Sequence, residues 1–587
     1  MHYESINQFV SVNSSKPRTK GLALAILLIV GVLGGCSSSS SDPRSENSMY
    51  QDGLALYNAK AYAEAVQAFS DEIRAYPGGP LADDAAFYLA RAQYWMGDYV
   101  SAIAGFTAFP TTYPTSNVLE ASVYWKGKAE QKNNDLTTAR ATYQYIIAEN
   151  AAGRFTNQYV GDAHYSIAKT YYDAGDYTTA ISEFTAAAGL VTLVSATDSK
   201  LDNIQYYLAK SYHQRAKTPL NPSSAADYTQ AIAEYDLLIA TYDGLTLATT
   251  SGWVGNARVQ KGVIMMDQLD YAGAQTYFIN LMADPKFAAS SDGDLGQYTL
   301  GAAYYDQAKI ELALAIPDPL IYGPLLVNAR TEYAKVAVNY PTSSWADNAQ
   351  YQIGKTYYDE ADYVNALTTF KAVVANYPMS SSADAGQYYV GRTLLQQADA
   401  AKVVADVAAA AAGIAPDYTA VGGYLDLNAQ ARTELQKVVV TYPLSSLADN
   451  AQYQIGKTHY DEGSYALART ELGKVIANYA TSTYADNAQY YIGRAYHKDT
   501  ALVNYLADAR SAYQLVLSLY PASTQAHSAQ YYIARTYHDS IEVGNCVNEL
   551  AQMQLLITNY PTSSHVATAQ THINDLMLAT PVTHVCL

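Results

Sequence analysis

The chain has 587 residues, a formal net charge of −18 and an apolar fraction of 49%. That apolar share supplies a buried core and excludes an intrinsically disordered chain, and the acidic balance excludes a nucleic-acid binder, which needs a basic footprint. Tyrosine is the outlier, with 56 copies against 10 phenylalanines, and an amphipathic ring suits half-buried positions and binding surfaces.

Residues 1–35 read as an address. Lys16, Arg18 and Lys20 precede an apolar run from Gly21 to Leu33, the pattern of a signal peptide. The run is short for a spanning helix, which needs roughly 20 apolar residues. Leu33-Gly34-Gly35-Cys36 resembles a bacterial lipobox. It implies a lipoprotein signal peptide over 1–35 and Cys36 as the lipidated first residue of the mature protein. Residues 36–46, with Ser37 to Ser41, then form a serine-rich flexible tether. Ser37 stands where an aspartate would imply inner-membrane retention, so the resemblance implies the outer membrane, on its periplasmic face.

Residues 47–564 are predicted to be a repeat array. Tyr62, Ala65 and Phe69 mark the second helix of the first unit, which closes at Tyr76-Pro77; the next closes at Tyr113-Pro114. The clearest unit runs from Tyr340 to Pro378 and returns almost verbatim after Tyr442. A period of roughly 35–40 residues marks a repeat architecture. Within the unit, Ile353, Gly354 and Tyr357 share one helical face, and Ala366, Phe370 and Val373 share another. Asp359 to Asp362 is a short polar turn between them, and Thr342-Ser343-Ser344 offers N-cap oxygens to the next helix. About twelve such units fit the chain. Inserts near 217–226, 316–325 and 402–426 interrupt them, the last with an alanine-rich helix extension followed by a loop over Pro416 to Asp426. Residues 565–587 read as a capping helix and tail, as a repeat array requires.

The ordered set Ile353-Gly354, Tyr357, Ala366, Phe370, Val373 and Pro378 resembles the tetratricopeptide repeat (TPR) family. The Tyr-Pro-x-Ser junction resembles the repeats of outer-membrane assembly lipoproteins (BamD/YfiO-like) and of Tol-Pal-associated periplasmic coordinators. The resemblance implies an all-α fold, an α-solenoid superhelix of about twelve TPR-like helical hairpins with a C-terminal capping helix.

A ladder recurs along the first helices. Its aromatic rungs include Tyr165, Tyr206, Tyr351, Tyr388, Tyr453, Tyr490 and Tyr531. Four residues on stand Lys169, Lys210, Lys355, Arg392, Lys457, Arg494 and Arg535, and a third rung holds Tyr358, Tyr460, His497 and His538, with His213 in an earlier unit. At about 100° per residue this face lies about 130° from the core face of its own helix. In the TPR family the first helices line the concave groove, so the resemblance implies a partner-binding groove along the ladder. Cations among tyrosines would suit an acidic peptide or an anionic glycan, and exposed rungs would be replaceable at little expense to folding. The alternative is pairing within the helix, by Asp173, Asp359, Asp461 and Asp539 four residues after their cations.

No spacing along a single helix suggests a metal site, and no nucleophile motif or phosphate loop is present, so no enzyme activity and no cofactor are expected. Cys546 and Cys586 are the cysteines left after the lipid site. In an oxidising periplasm they are expected to pair, with two unpaired thiols as the alternative. The reading is an outer-membrane-anchored periplasmic scaffold that binds other envelope proteins, in outer-membrane protein assembly or envelope coordination. The alternative is a lipoprotein of an exopolysaccharide export system, binding anionic glycan or secretion partners.

Overall fold

Helices alone make up the secondary structure of the described residues, which in this computed structural model are 44–194, 201–243, 252–540 and 545–578. The signal segment, Cys36 and Cys586 lie outside them. Of the 26 helices, 24 pair into twelve hairpins; the short helix Pro285–Ala288 lies between two of them, and Val566–Leu578 follows the last. The chain divides into two units, Met1–Ala163 and His164–Leu587. Within each, helices pack against their neighbours along the sequence, as expected of an α-solenoid built from hairpins that cannot bury an apolar face alone.

Local chemistry explains each hairpin. In the unit formed by Ala346–Asp359 and Tyr363–Asn376, Ala361 takes a left-handed φ of 63° and reverses the chain. Asp362 then accepts the Asn365 N–H at 3.1 Å, satisfying one of the orphan donors of the second helix. The same left-handed position is filled by Gly97, Asn134, Gly175, Leu269 and Gly463 in other units. In four of these an N-cap aspartate follows: Asp98, Asp135, Asp176 and Asp270.

The two helices meet through a glycine. A Cβ on Gly354 would lie 2.6 Å from the Phe370 ring, so the ring fills the space that any larger residue would need. Ala366, Phe370 and Val373 are all fully buried on the second helix. Ile353 and Tyr357, expected on the core face of the first helix, are only half-buried. The Tyr357 ring lies under Arg330 of the preceding hairpin, 4.3 Å from its guanidinium carbon.

The junction serines act differently from the expected N-caps. Trp345 precedes the helix and makes no side-chain cap. Ser343 Oγ instead accepts the Trp345 N–H at 2.9 Å and donates to Asp294 of the preceding hairpin at 2.6 Å. Ser482 reaches Asp449 in the same way, at 2.7 Å. These serines therefore tie one repeat to the one before it. Two inserts also differ from a plain loop. Pro319 opens the helix Pro319–Asn339, because proline at a first helical position gives up only an orphan N–H, and Asp318 caps it. The alanine-rich segment extends the helix Ala383–Ala412 as expected, but the loop after it ends at Tyr424, where the next helix begins.

One slot breaks the apolar rule in the first hairpin. Glu72 stands where later hairpins carry Phe109, Ile146, Val373 or Val475, and it is 0% exposed. Burial first, and then the charge of Glu46 and a hydrogen bond to its carboxyl that forms when one of the pair is protonated, push its pKa from 4.5 up to about 7. A carboxyl group raised in the folded state contributes stability that is complete below its unfolded pKa and is lost as pH rises through the folded value, here between 4.5 and about 7. Glu72→Gln, which mimics the protonated form, is therefore expected to be nearly neutral at pH 5. At pH 8 it should raise the stability of the first unit by roughly 3 kcal/mol, at about 1.4 kcal/mol per pKa unit. Urea unfolding at the two pH values measures this, and an equal effect at both would refute the assignment.

Candidate functional site

The ladder sits on the flank of each first helix that meets the next hairpin. Lys355 Nζ lies 4.4 Å from the centre of the Tyr389 ring, Lys457 Nζ 4.9 Å from Tyr491, and Lys169 Nζ 5.0 Å from Tyr207. The Arg494 guanidinium lies 4.4 Å from the Tyr532 ring centre. In each case the ring belongs to the following hairpin. The third rung closes on the same ring from the side: Tyr358 meets Tyr389 at 5.4 Å and Tyr460 meets Tyr491 at 5.1 Å, both edge-on. Stacking a cation on an aromatic face contributes about 0.5–2 kcal/mol, more as the pair is desolvated.

The acids four residues on complete the pattern. Lys355 pairs with Asp359 at 3.2 Å, Lys457 with Asp461 at 2.6 Å and Arg535 with Asp539 at 3.3 Å; Lys169 pairs with Asp173. Arg392 and Arg494 instead reach back to the hydroxyls of their own aromatic rungs, Tyr388 at 3.4 Å and Tyr490 at 3.1 Å. Lys210 lies 5.6 Å from the Tyr206 ring centre. Burial, and then repulsion from Lys169, push its pKa down to about 8.

Three of the seven aromatic rungs have almost no surface left for a partner. Tyr206, Tyr388 and Tyr490 are 1%, 4% and 7% exposed, so the expectation that they meet a partner is corrected. Tyr165 and Tyr351 are half-buried against Phe184 and Phe370, Tyr453 stacks on Tyr484, and Tyr531 stacks on His565 with centroids 4.4 Å apart. A helical wheel drawn for one helix puts the ladder away from the core, yet Tyr165 and Tyr351 touch the buried Phe184 and Phe370 of their own hairpins. It omits the second buried arc, which a hairpin stacked on its successor must also have. His213 is fully buried and lies 2.8 Å from Asp267, which also takes Lys217. His497 Nε2 lies 2.9 Å from Asp539 of the next hairpin, and burial lowers its pKa.

The residues that receive the ladder were not singled out from sequence. They are the second tyrosines of the doublets Tyr206-Tyr207, Tyr388-Tyr389, Tyr490-Tyr491 and Tyr531-Tyr532. The doublet itself was the available signal, since adjacent helical residues face different neighbours. The last hairpin also gathers a group that spacing along one helix could not reveal. His538 Nδ1 lies 3.1 Å from Glu549 Oε1, and His572 Nδ1 lies 3.2 Å from the same oxygen. Cys546 is disulfide-bonded; Cys586, the partner expected for it, lies outside the described residues.

These features define a helical-hairpin repeat scaffold whose units are joined by ladder contacts and serine–aspartate ties. The chain belongs to the YfiO family, described as outer membrane lipoprotein, which it matches over residues 42–160, 326–455 and 428–580. No curated protein sequence matches it. Among solved structures, the C-terminal part of a TPR repeat-containing protein from Cytophaga hutchinsonii is 14% identical, covers 51% of this chain and 98% of its own, and has a TM-score of 0.34. A tetratricopeptide repeat protein from Parabacteroides merdae is 12% identical, with 53% and 98% covered and a TM-score of 0.33. The Cut9–Hcn1 hetero-tetramer of the APC/C is 13% identical, with 91% and 96% covered and a TM-score of 0.27. Similarities that low carry nothing about partners.

Proposed function

We propose that the protein is a periplasmic scaffold lipoprotein, anchored to the outer membrane through an acyl group on Cys36, that binds other envelope proteins in outer-membrane protein assembly or envelope coordination. Membership of the YfiO outer membrane lipoprotein family over more than half of the chain carries the proposal. The lipobox-like Leu33 to Cys36 supports the anchor. No described helix is long and apolar enough to cross a membrane.

The accessible part of the ladder is its cation tips. The side chains of Lys169, Lys355, Lys457 and Arg535 remain 21%, 18%, 24% and 28% exposed. A partner would meet a row of half-covered cations framed by aspartates, with the tyrosines behind them as supports. An acidic peptide would have to displace those aspartates, which makes binding sensitive to ionic strength.

Cys36→Ser is expected to shift the protein from the membrane pellet to the soluble fraction, or to leave it uncleaved. Unchanged mass together with unchanged membrane association would overturn the anchor. Crosslinking in intact envelopes followed by purification identifies the bound class. Envelope proteins are the expected capture; recovery of anionic glycan alone would favour the polysaccharide-export reading.

A further inference from the structure

Eleven of the twelve hairpins carry alanine at one slot of the second helix, three residues after the position of Tyr363 in the unit 346–376. Ala366, Ala431, Ala468 and Ala509 fill it in the four hairpins before the last, and all are fully buried. In the last hairpin the slot holds Glu549, a carboxylate only 2% exposed. One further slot changes with it: the position of Tyr491 and Tyr532 in earlier units is taken by His572 on the capping helix Val566–Leu578. The third rung is His538, as it is His213 and His497 in two earlier units. Three helices thus each place one potential metal ligand at the same point, and one ligand atom from each lies within 4.8 Å of the other two.

A buried carboxylate needs a compensating charge. His538 Nδ1 and His572 Nδ1 lie 3.1 and 3.2 Å from Glu549 Oε1, at the long end of the range of about 2.7–3.2 Å for an N–H···O hydrogen bond. A protonated histidine would supply the charge, and so would a metal ion held by the same three side chains. Around tetrahedral zinc, with ligand bonds of about 2.0–2.2 Å, neighbouring ligand atoms stand about 3.3–3.6 Å apart. The two histidine–glutamate spacings are within a few tenths of an ångström of that edge, and the two histidines are within 4.8 Å of each other. The two rings are nearly perpendicular, 80° apart with centroids at 5.2 Å. The His538 and His572 side chains remain 30% and 21% exposed, which gives a metal ion an approach from solvent.

We infer that His538, Glu549 and His572 form a zinc-binding site that fastens the capping helix to the last hairpin. The ion would take the two Nδ1 atoms and a Glu549 oxygen, leaving the fourth tetrahedral position to water, as in other three-ligand sites. His572 Nε2 would then carry the proton. Arg535, whose guanidinium lies 3.4 Å from that nitrogen, would turn to Asp539, which it already contacts at 3.3 Å. Zinc on these ligands holds three successive helices with one ion.

The test uses the full chain without a histidine tag, stripped of metal by a chelator and titrated with zinc chloride by calorimetry. One zinc per chain is expected, with a rise in melting temperature on binding. Cobalt in place of zinc should give the visible absorption of a tetrahedral site. His572→Ala and Glu549→Ala should each weaken zinc binding by more than about 100-fold, above the usual effect of losing a group that only orients a ligand. Glu549→Ala restores the residue that the other eleven hairpins use, so the metal-free variant should melt no lower than the metal-free wild type. Glu549→Gln, which keeps the side-chain shape, should lose zinc in the same way and serves if the alanine variant does not fold. Absence of saturable zinc binding in the wild type, or unchanged zinc affinity in His572→Ala and Glu549→Gln, overturns the site.

Discussion

Gly456→Leu is expected to unfold the hairpin formed by Ala448–Asp461 and Tyr465–Asn478 well before the rest of its unit. A Cβ at Gly456 would sit 2.6 Å from Leu472 Cγ and 2.9 Å from the Leu472 backbone nitrogen. A flexible side chain could yield, but the backbone contact forces the two helices apart. Overfilling of a packed core typically costs about 1–3 kcal/mol, and separation of the helices takes this substitution to the top of that range or beyond. The array couples nearest neighbours, so the loss should spread to the adjoining hairpins and weaken with distance. Hydrogen exchange measures it: protection should fall in residues 448–498 and persist in the first unit. Gly473→Ala in the same hairpin is the control. Nothing lies within 4 Å of a Cβ there, and alanine is favoured over glycine in a helix by about 1 kcal/mol. That variant should be slightly stabilised. Equal behaviour of the two variants would mean that the close approach at Gly456 does not limit packing.

The triple substitution Lys457→Ala, Arg494→Ala and Arg535→Ala is expected to lower stability as well as partner binding. The sequence-based expectation was a loss of binding with folding nearly untouched. The structure changes that expectation, because Lys457 stacks on Tyr491 and Arg494 on Tyr532, each across a hairpin boundary, while Arg535 reaches His572 of the capping helix. At about 0.5–2 kcal/mol for each cation–aromatic contact, the C-terminal hairpins should lose roughly 2–4 kcal/mol. The substitution also leaves Asp461 and Asp539 without their cations. Urea unfolding should show an earlier transition in the second unit. Capture of partners from crosslinked envelopes should weaken, with a flatter salt dependence. A variant that unfolds like the wild type would show that the stacked cations add nothing to the joints between hairpins. Full binding at low salt would remove the ladder from the interaction surface.

The repeat itself was legible from sequence because it is a one-dimensional property. The hairpin needs a small residue facing a large one, a left-handed turn and a cap, and these needs fall at fixed spacings such as Gly354, Ala361, Asp362, Ala366 and Phe370. Helical periodicity then separates the inside of a hairpin from its outside. The all-α class and the YfiO-type repeats followed from that pattern. The position of the ladder did not, since a wheel drawn for one helix has no place for the next hairpin. Tyr206 meets Tyr235 of its own hairpin as well as Trp253 of the next, and Tyr388 shares a core cluster with Leu435 of its own hairpin, so both are buried.

The same physics divides the single residues. Sequence alone marked Lys355, Lys457 and their aspartates as i,i+4 pairs, and these form because both members ride on one helix. It could not mark Ser343 with Asp294, Lys355 with Tyr389, or His538 with Glu549 and His572. Those partners stand 49, 34, 11 and 34 positions apart and meet only when successive helices stack. Spacing within a helix is set by the backbone and can be read from the chain. Contacts between hairpins depend on which flank each presents to its neighbour, and only the packed tertiary structure decides that.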